Sequence, residues 1–301
     1  MDIISVIIVT YHSADCIRTC LDSVCRQEGG ALEILIVDNA STDDTVKMVR
    51  EYIGDKKNIR LLANRENVGF GRANNQAFAA SSGEFIYLLN PDAQLVQPDA
   101  LKMLRTEMAS HPAWGVAGTR ILQGDGQEEL AQCVQYHGQE HVRGRDFSTL
   151  AGHRAAVLGA SMFFPRRVFG EMGGFDEDYF LYQEETDLCL RLREKGHEIG
   201  FVPEVTIKHI GEASERGRDP YETWRRRVNG MLLFWKKHYP AADAIRLAEM
   251  DRKRSRYKMI SYGWLAKLQP ANSSAWQKHR KYRAIWEQSR SFIAQMKKNG
   301  A

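Results

Sequence analysis

The chain has 301 residues, 43% of them hydrophobic and 27% charged. That excludes a disordered polymer, a collagen-like repeat and a small disulfide scaffold, and leaves room for one large α/β domain with an appendage or two modest domains. The net charge of +4 hides an asymmetry: residues 1–200 carry 20 Lys and Arg against 29 Asp and Glu, whereas residues 201–301 carry 22 against 9. An acidic front and a basic tail predict chemistry in the first part and attraction to an anionic partner in the second. No run approaches the roughly 18 apolar residues of a membrane span. Met1-Asp2 lead directly into an apolar run, without a basic leader or cleavage site, so the start reads as a first strand and not as a signal peptide. Five cysteines, odd in number and without C-x-x-C spacing, argue against a zinc site or disulfide framework and for reduced thiols in the cytoplasm.

In chain order, residues 3–9 form a β-branched apolar run typical of a buried strand in a parallel sheet. A helix is expected over 14–27, with Cys16 and Cys20 one turn apart as small core residues. A strand over 33–37, a helix over 43–53, a strand over 59–62, a helix over 72–81 and a strand over 85–89 follow. This alternation predicts right-handed crossovers, a mostly parallel sheet, and a ligand site at the carboxyl ends of the strands. Strands are expected at 114–118 and 155–164, separated by a polar, Gly-rich segment over 123–153 that reads as loop or insertion. A helix over 184–195 closes at Gly196, and a strand runs from Val202 to His209. From about 221 the chain turns helical and basic. Its last helix, 272–298, places Tyr282, Ile285, Trp286, Phe292, Ile293 and Met296 at three- and four-residue spacing.

Five stretches carry residues capable of chemistry. VDNASTDDT (37–45) puts Asp38 at a strand end; the residue types suit a turn and helix N-cap first, and also a carboxylate facing a ligand. ENVGFGRANN (66–75) has the spacing G-x-G-x-x-N. Because the first βα turn lacks glycines, a dinucleotide site is excluded, and what remains is a loop with one cation, Arg72, suited to a diphosphate. There is no phosphate-binding G-x-x-x-x-G-K-[ST] loop. Asn90-Pro91-Asp92 is turn chemistry, or a strand-end carboxylate for a hard divalent cation that keeps phosphate oxygens in its shell. In residues 173–188, Glu184, Glu185 and Asp187 crowd a helix start, where the macrodipole favours acids and Asp187 can pair with Arg191; one of them could instead face a cleft as a general base. His209 shares a strand face with Val205 and Ile207, which makes a core histidine the default and a metal or phosphate ligand the alternative.

The order Thr-Tyr after strand one, VDNAST, ENxGFGxANN, LLNPDA, GGFDExYFLYxEExDLCLRLRxxG and H-x-G-x-x-S resembles family 2 glycosyltransferases of the GT-A fold. The likeness covers about 3–240 and is strongest to the bacterial rhamnosyltransferase-type branch of cell-surface polysaccharide assembly. It implies a catalytic domain over 1–240, a basic helical extension over 241–301, and an inverting transfer from a nucleotide sugar, dTDP-rhamnose or a UDP-sugar, to a glycan or lipid-linked hydroxyl. By resemblance, Thr10, Tyr11 and Asp38 hold the nucleoside, and Arg72 and Asn90 lie on the donor side. Asp92 and His209 take Mg²⁺ or Mn²⁺, Glu185 is the base, and Glu184 is its alternative. Asn90 replaces the first acid of the family's D-x-D motif, and Glu185 stands where the family usually has Asp. Arg225-Arg226-Arg227 and the last helix suit an anionic membrane surface, which would make the enzyme peripheral on the inner face of the plasma membrane; the last helix alternatively packs on the domain or on a second copy in a homodimer. A non-enzymatic basic nucleic-acid binder is the contrasting reading, and no recognition motif supports it. A nucleotidylyltransferase is excluded because Thr10–Asp15 is no Gly-rich basic loop.

Overall fold

The computed structural model describes residues 3–210 and 219–299; Gly211 and Ser214 of the H-x-G-x-x-S spacing lie outside the described residues. The elements are β1 (Ile4–Thr10), α1 (Ile17–Cys25), β2 (Leu32–Asp38), α2 (Thr45–Ile53), β3 (Ile59–Ala63), α3 (Phe70–Ala80), β4 (Phe85–Leu89), β5 (Ala93–Leu95), α4 (Ala100–Ser110), β6 (Trp114–Gln123), β7 (Glu128–Glu129), β8 (Gln132–Cys133), β9 (Ala156–Val157), β10 (Ser161–Pro165), α5 (Arg166–Glu171), α6 (Glu184–Glu194), β11 (Glu198–His209), α7 (Pro220–His238), α8 (Ala241–Lys267) and α9 (Ser274–Asn299). Contacts group the chain into two compact units, one of residues 1–136, 150–180 and 184–214, the other of 137–149, 181–183 and 215–301.

In the first unit the sheet runs β3-β2-β1-β4-β10-β6-β11-β5, with β7 paired to β6. β3, β2, β1 and β4 are mutually parallel, β10 lies antiparallel between β4 and β6, and β11 returns parallel to β6. Strand β1 is buried throughout because both its faces are covered. Ile4, Val6 and Ile8 pack on one side with Leu21 and Val24 of α1, while Ile7 and Val9 pack on the other with Ala73 and Ala77 of α3. Helices on both faces leave the strand ends as the polar rim, and every candidate side chain lies in this unit.

The expected 155–164 strand splits: Ala156–Val157 pairs with β8 in a separate two-stranded ribbon, and Ser161–Pro165 joins the main sheet. The polar segment 123–153 is not purely loop, since it contains β7 and β8. The last strand begins at Glu198, and its pairing with β6 shifts register between Val202 and Thr206, around Pro203, which has no N–H to give the ladder. β5, α4 and α5 have no counterpart in the sequence reading.

In the second unit α9 packs lengthwise against α8 and also against α7. Ala284, Ser289, Phe292 and Ile293 are buried there, so the apolar stripe of the last helix is used in packing. Asp219 caps α7 by accepting from the Tyr221 N–H, with Pro220 at the first turn. Residues 137–149 are tied down by side chains of the helices: the Trp235 indole and the Tyr239 hydroxyl donate to the His137 carbonyl, and Asp243 Oδ2 accepts from the Arg143 and Gly144 amides.

Candidate active site

Thr10 and Asp38 end neighbouring parallel strands and stand in register. The Thr10 hydroxyl donates to Asp38 Oδ1 at 2.8 Å, the Ser41 hydroxyl donates to the same oxygen at 2.6 Å, and the Ser41 amide donates to Oδ2 at 2.9 Å. Asp38 is 1% exposed, and these three donors hold its carboxylate rigidly at the rim; a carboxylate has about four acceptor sites, so capacity for a further donor remains. Tyr11 stacks on His12 at 4.1 Å, and His12 is fixed by its amide to Ser41 Oγ and by its ring to Thr42 Oγ1. His12 (φ 53°) and Ala40 (φ 61°) occupy the left-handed region directly after β1 and β2. Such strain, of order 1–3 kcal/mol per residue, persists where the surroundings over-determine it and clusters at functional sites.

The glycine-containing motif before α3 is bound to the 173–180 segment. The Asn39 side chain donates to the Gly69 carbonyl, and the Phe70 amide donates to the Phe180 carbonyl. Gly69 has φ 91°, and a Cβ there would meet the Phe180 carbonyl oxygen at 2.5 Å, so this glycine is required. Asn75 clamps the backbone of Phe175 twice, donating to its carbonyl and accepting from its amide, each at 2.9 Å. Arg72 is half exposed, with Nε donating to the Glu177 carbonyl at 3.1 Å and 3.6 Å from the Glu177 carboxylate. Its guanidinium thus engages the 173–180 segment.

Asn90 and Asp92 follow β4, and His209 ends β11 opposite Ala93 of β5. His209 Nε2 lies 3.3 Å from Asp92 Oδ1 and 3.4 Å from the Asn90 amide nitrogen, while Nδ1 lies 3.1 Å from Glu129 Oε2. Burial lowers the imidazole's affinity for a proton, but the hydrogen bonds and charges of Asp92 and Glu129 outweigh it and push the pKa up to about 9. His209 is therefore no inert core histidine. With its pKa raised, the imidazole pairs through Nε2 with Asp92 and through Nδ1 with Glu129. On losing the Nε2 proton it would offer a nitrogen beside the Asp92 oxygen, with Glu129 orienting the far ring nitrogen as in metal-bound histidines. This two-residue set would suit a divalent cation that completes its shell with phosphate oxygens and water; among the described residues no group of three or more His, Cys, Asp or Glu forms a metal site by itself. Glu129 comes from β7, within the segment that reads as loop, where no periodicity announces it.

At the start of α6 three acids take different environments. Asp187 is buried and pairs with Arg191 at 2.8 Å, whose guanidinium also donates to the Met172 and Gly174 carbonyls, so it anchors the helix as its spacing predicts. Glu184 is 3% exposed, and one of its carboxyl oxygens has no hydrogen-bond partner among the described residues. Burial first, then the charges of Glu185 and Asp187, push its carboxyl well above the ordinary range. Glu185 is half-buried and lies along Gly159: a Cβ on that glycine would be 3.7 Å from the Glu185 Cβ and 3.9 Å from its Cδ. The next residue, Ala160, accepts the Asn90 amide through its carbonyl. Glu185 thus flanks the loop that carries Asn90 and Asp92. Asp38 lies two strand spacings from that loop along β2-β1-β4, about 10 Å.

Comparison with known proteins places this site in context. The Glycosyl transferase family 2 profile matches residues 5–173. An uncharacterized protein of Sinorhizobium fredii is 27% identical over 87% of the chain, and the match spans 30% of that protein. The N-acetylglucosaminyl-diphospho-decaprenol L-rhamnosyltransferase of Mycobacterium tuberculosis is 29% identical over 73% of the chain and 79% of its own length. Among solved structures, the mannosyltransferase PcManGT from Pyrobaculum calidifontis, in complex with GDP-Man and Mn²⁺, superposes with a TM-score of 0.57 at 19% identity, covering 99% of this chain and 76% of that one. The fold is the GT-A fold.

Proposed function

The chain belongs to glycosyl transferase family 2, and on that premise we propose that it moves a sugar from a nucleoside-diphosphate donor, dTDP-rhamnose before a UDP-sugar, to a hydroxyl of a cell-surface glycan or lipid-linked acceptor, with inversion at the anomeric carbon. The activity for which the mycobacterial relative is named supports both a rhamnosyl donor and a lipid-diphosphate acceptor. Catalysis falls within residues 1–240, where all the assigned side chains lie. The observation that carries the reading is the sorting of two adjacent acids beside the Asn90–Asp92 loop: Glu184 is buried with its carboxyl raised by that burial, and Glu185 is partly open and next to Gly159.

The nucleoside lies against the Tyr11–His12 rings with its base directed to Asp38, whose orientation Thr10 and Ser41 fix. Its diphosphate reaches toward Asn90, Asp92 and His209. Asp92 and His209 would hold Mg²⁺ or Mn²⁺, and such an ion, like the one bound by PcManGT, neutralises charge on a departing diphosphate. Glu185 accepts the proton of the acceptor hydroxyl as its oxygen attacks the anomeric carbon. The new C–O bond forms on the face opposite the phosphate, the old one breaks, and the bonding pair leaves with the nucleoside diphosphate. One displacement suffices, without a covalent enzyme intermediate.

A panel of sugar nucleotides scored by melting shift, with and without Mn²⁺, tests the donor assignment: a shift greatest with dTDP-rhamnose is expected, and no shift with any nucleotide sugar overturns it. Arg72→Ala is expected to raise the donor KM as a diphosphate contact is lost; an unchanged value restricts Arg72 to bracing Glu177.

A further inference from the structure

We propose that the exposed face of α8 seats the protein on an anionic phospholipid bilayer. The proposal goes beyond the sugar-transfer reading and does not depend on which donor is used. The last helix, whose apolar spacing suggests membrane contact, spends that stripe on packing against α7 and α8. The unpartnered apolar face belongs instead to the second half of α8. Tyr257 is 75% exposed, Trp264 68% and Leu268 84%, with Ile260, Leu265 and Met250 between two-fifths and one-half exposed. At 3.6 residues per turn, Met250, Tyr257, Ile260, Trp264 and Leu268 fall within an arc of about 80°, a continuous stripe and not a scatter of isolated side chains. A folded protein seldom leaves large apolar side chains so open unless something covers them.

Charge identifies the cover. Residues 252–286 contain ten Lys and Arg and no Asp or Glu. Lys253 and Arg254 share the stripe's side of the helix, Arg256, Lys258 and Lys267 flank it, and all five are exposed. Lys267 lies over the Trp264 ring at 5.1 Å, so its stem runs along the aromatic face while the ammonium stays outside. A helix lying in the plane of a membrane has this distribution: Trp, Tyr and aliphatic groups enter the headgroup boundary, and cations at its sides meet lipid phosphates. A second copy of the chain would bring the five exposed cations beside this stripe against five of their own kind, which opposes a symmetric contact through this face. The helix does not cross the bilayer, since no helix among the described residues is long and apolar enough.

The test uses the full chain with vesicles of phosphatidylcholine alone or mixed with phosphatidylglycerol. Co-sedimentation is expected with the anionic vesicles, about tenfold or more weaker with the neutral ones, and falling as salt is raised. Trp264→Ser with Leu268→Ser should weaken binding about tenfold or more by removing the inserted groups, and Lys253→Glu with Arg256→Glu should do the same by removing the charge. These side chains are exposed, so melting temperatures should stay at the wild-type value. Should the first pair melt early, Trp264→Phe supplies the alternative readout: wild type shows a blue-shifted tryptophan emission with anionic vesicles, and this variant shows a smaller shift. Wild type that ignores lipid charge, or a Trp264/Leu268 variant that binds like wild type, overturns the proposal. So does a wild-type dimer, seen by sedimentation velocity without vesicles, that the same pair disrupts.

Discussion

Burial, with the charges of Glu185 and Asp187 beside it, raises the Glu184 carboxyl well above its ordinary value of 4.5. Between the unfolded and folded values the folded state keeps a proton that the unfolded chain has released, so this group's contribution to stability is full below about pH 4.5 and is lost as pH rises through the folded value. Glu184→Gln abolishes that titration. Its unfolding free energy, measured in urea between pH 5 and 8, should fall less than that of wild type; parallel curves would show that Glu184 is ionised in the fold. At the neighbouring position, Glu185→Gln should keep donor binding while kcat drops about 10²-fold or more, as removal of a general base does. A larger loss in Glu184→Gln would move the base by one residue. Asp92→Ala should abolish transfer and also weaken Mn²⁺-dependent nucleotide binding in calorimetry; full activity in chelator would remove the cation from the reaction. The site is only partly legible from residue types. Asp38, Asp92 and His209 stand out because they end apolar strands, and Ser41 is readable in retrospect from its place three residues after Asp38. Glu129 is not, because it sits on a two-residue strand whose only determinant is pairing with Ile121 on β6.

Among the elements, those of the first 90 residues were readable because each buries a regular face. β1 and β2 carry the apolar runs Val6–Val9 and Ile34–Val37, and α3 carries Ala73 and Ala77 one turn apart toward the sheet. β5 spans three residues, too few for any period to declare itself, and its strand character comes wholly from its antiparallel partner Ile207–His209. The reversal of β10 is likewise a tertiary feature: Met162, Phe163 and Phe164 would suit either direction, and it shows only in the antiparallel pairing with β4 and β6. The link between α3 and the 173–180 segment depends on Asn75, which spends both ends of its amide on Phe175. Asn75→Ala should therefore cost about 1–3 kcal/mol in urea unfolding, since a backbone donor and acceptor lose their partner together. A change within 0.5 kcal/mol would mean that water replaces the amide without loss.

For the molecule as a whole, the predicted α/β class and the uneven distribution of charge agree with the fold, whereas the cover on the last helix could not be read from its own periodicity. An amphipathic pattern states that a face is buried without naming the neighbour. The thiols offer a global probe. Cys16, Cys20 and Cys189 are buried, and burial pushes the Cys20 and Cys189 thiols up, the latter to about 12; Cys25 is exposed. An aromatic disulfide reagent should therefore modify Cys25 rapidly in the native protein, the half-buried Cys133 more slowly and the three buried thiols at the rate of opening, with all five reacting in denaturant. Fast reaction of three or more would contradict the packed first unit. The hydrogen bonds from Phe70 to Phe180 and from Asn75 to Phe175 have a further consequence for biosynthesis. The ribosome must add about a hundred more residues after α3, roughly 5–20 s of elongation, before these partners exist. A nascent chain halted upstream of Phe175 would hold its first strands in order and yet leave the start of α3 without its latch.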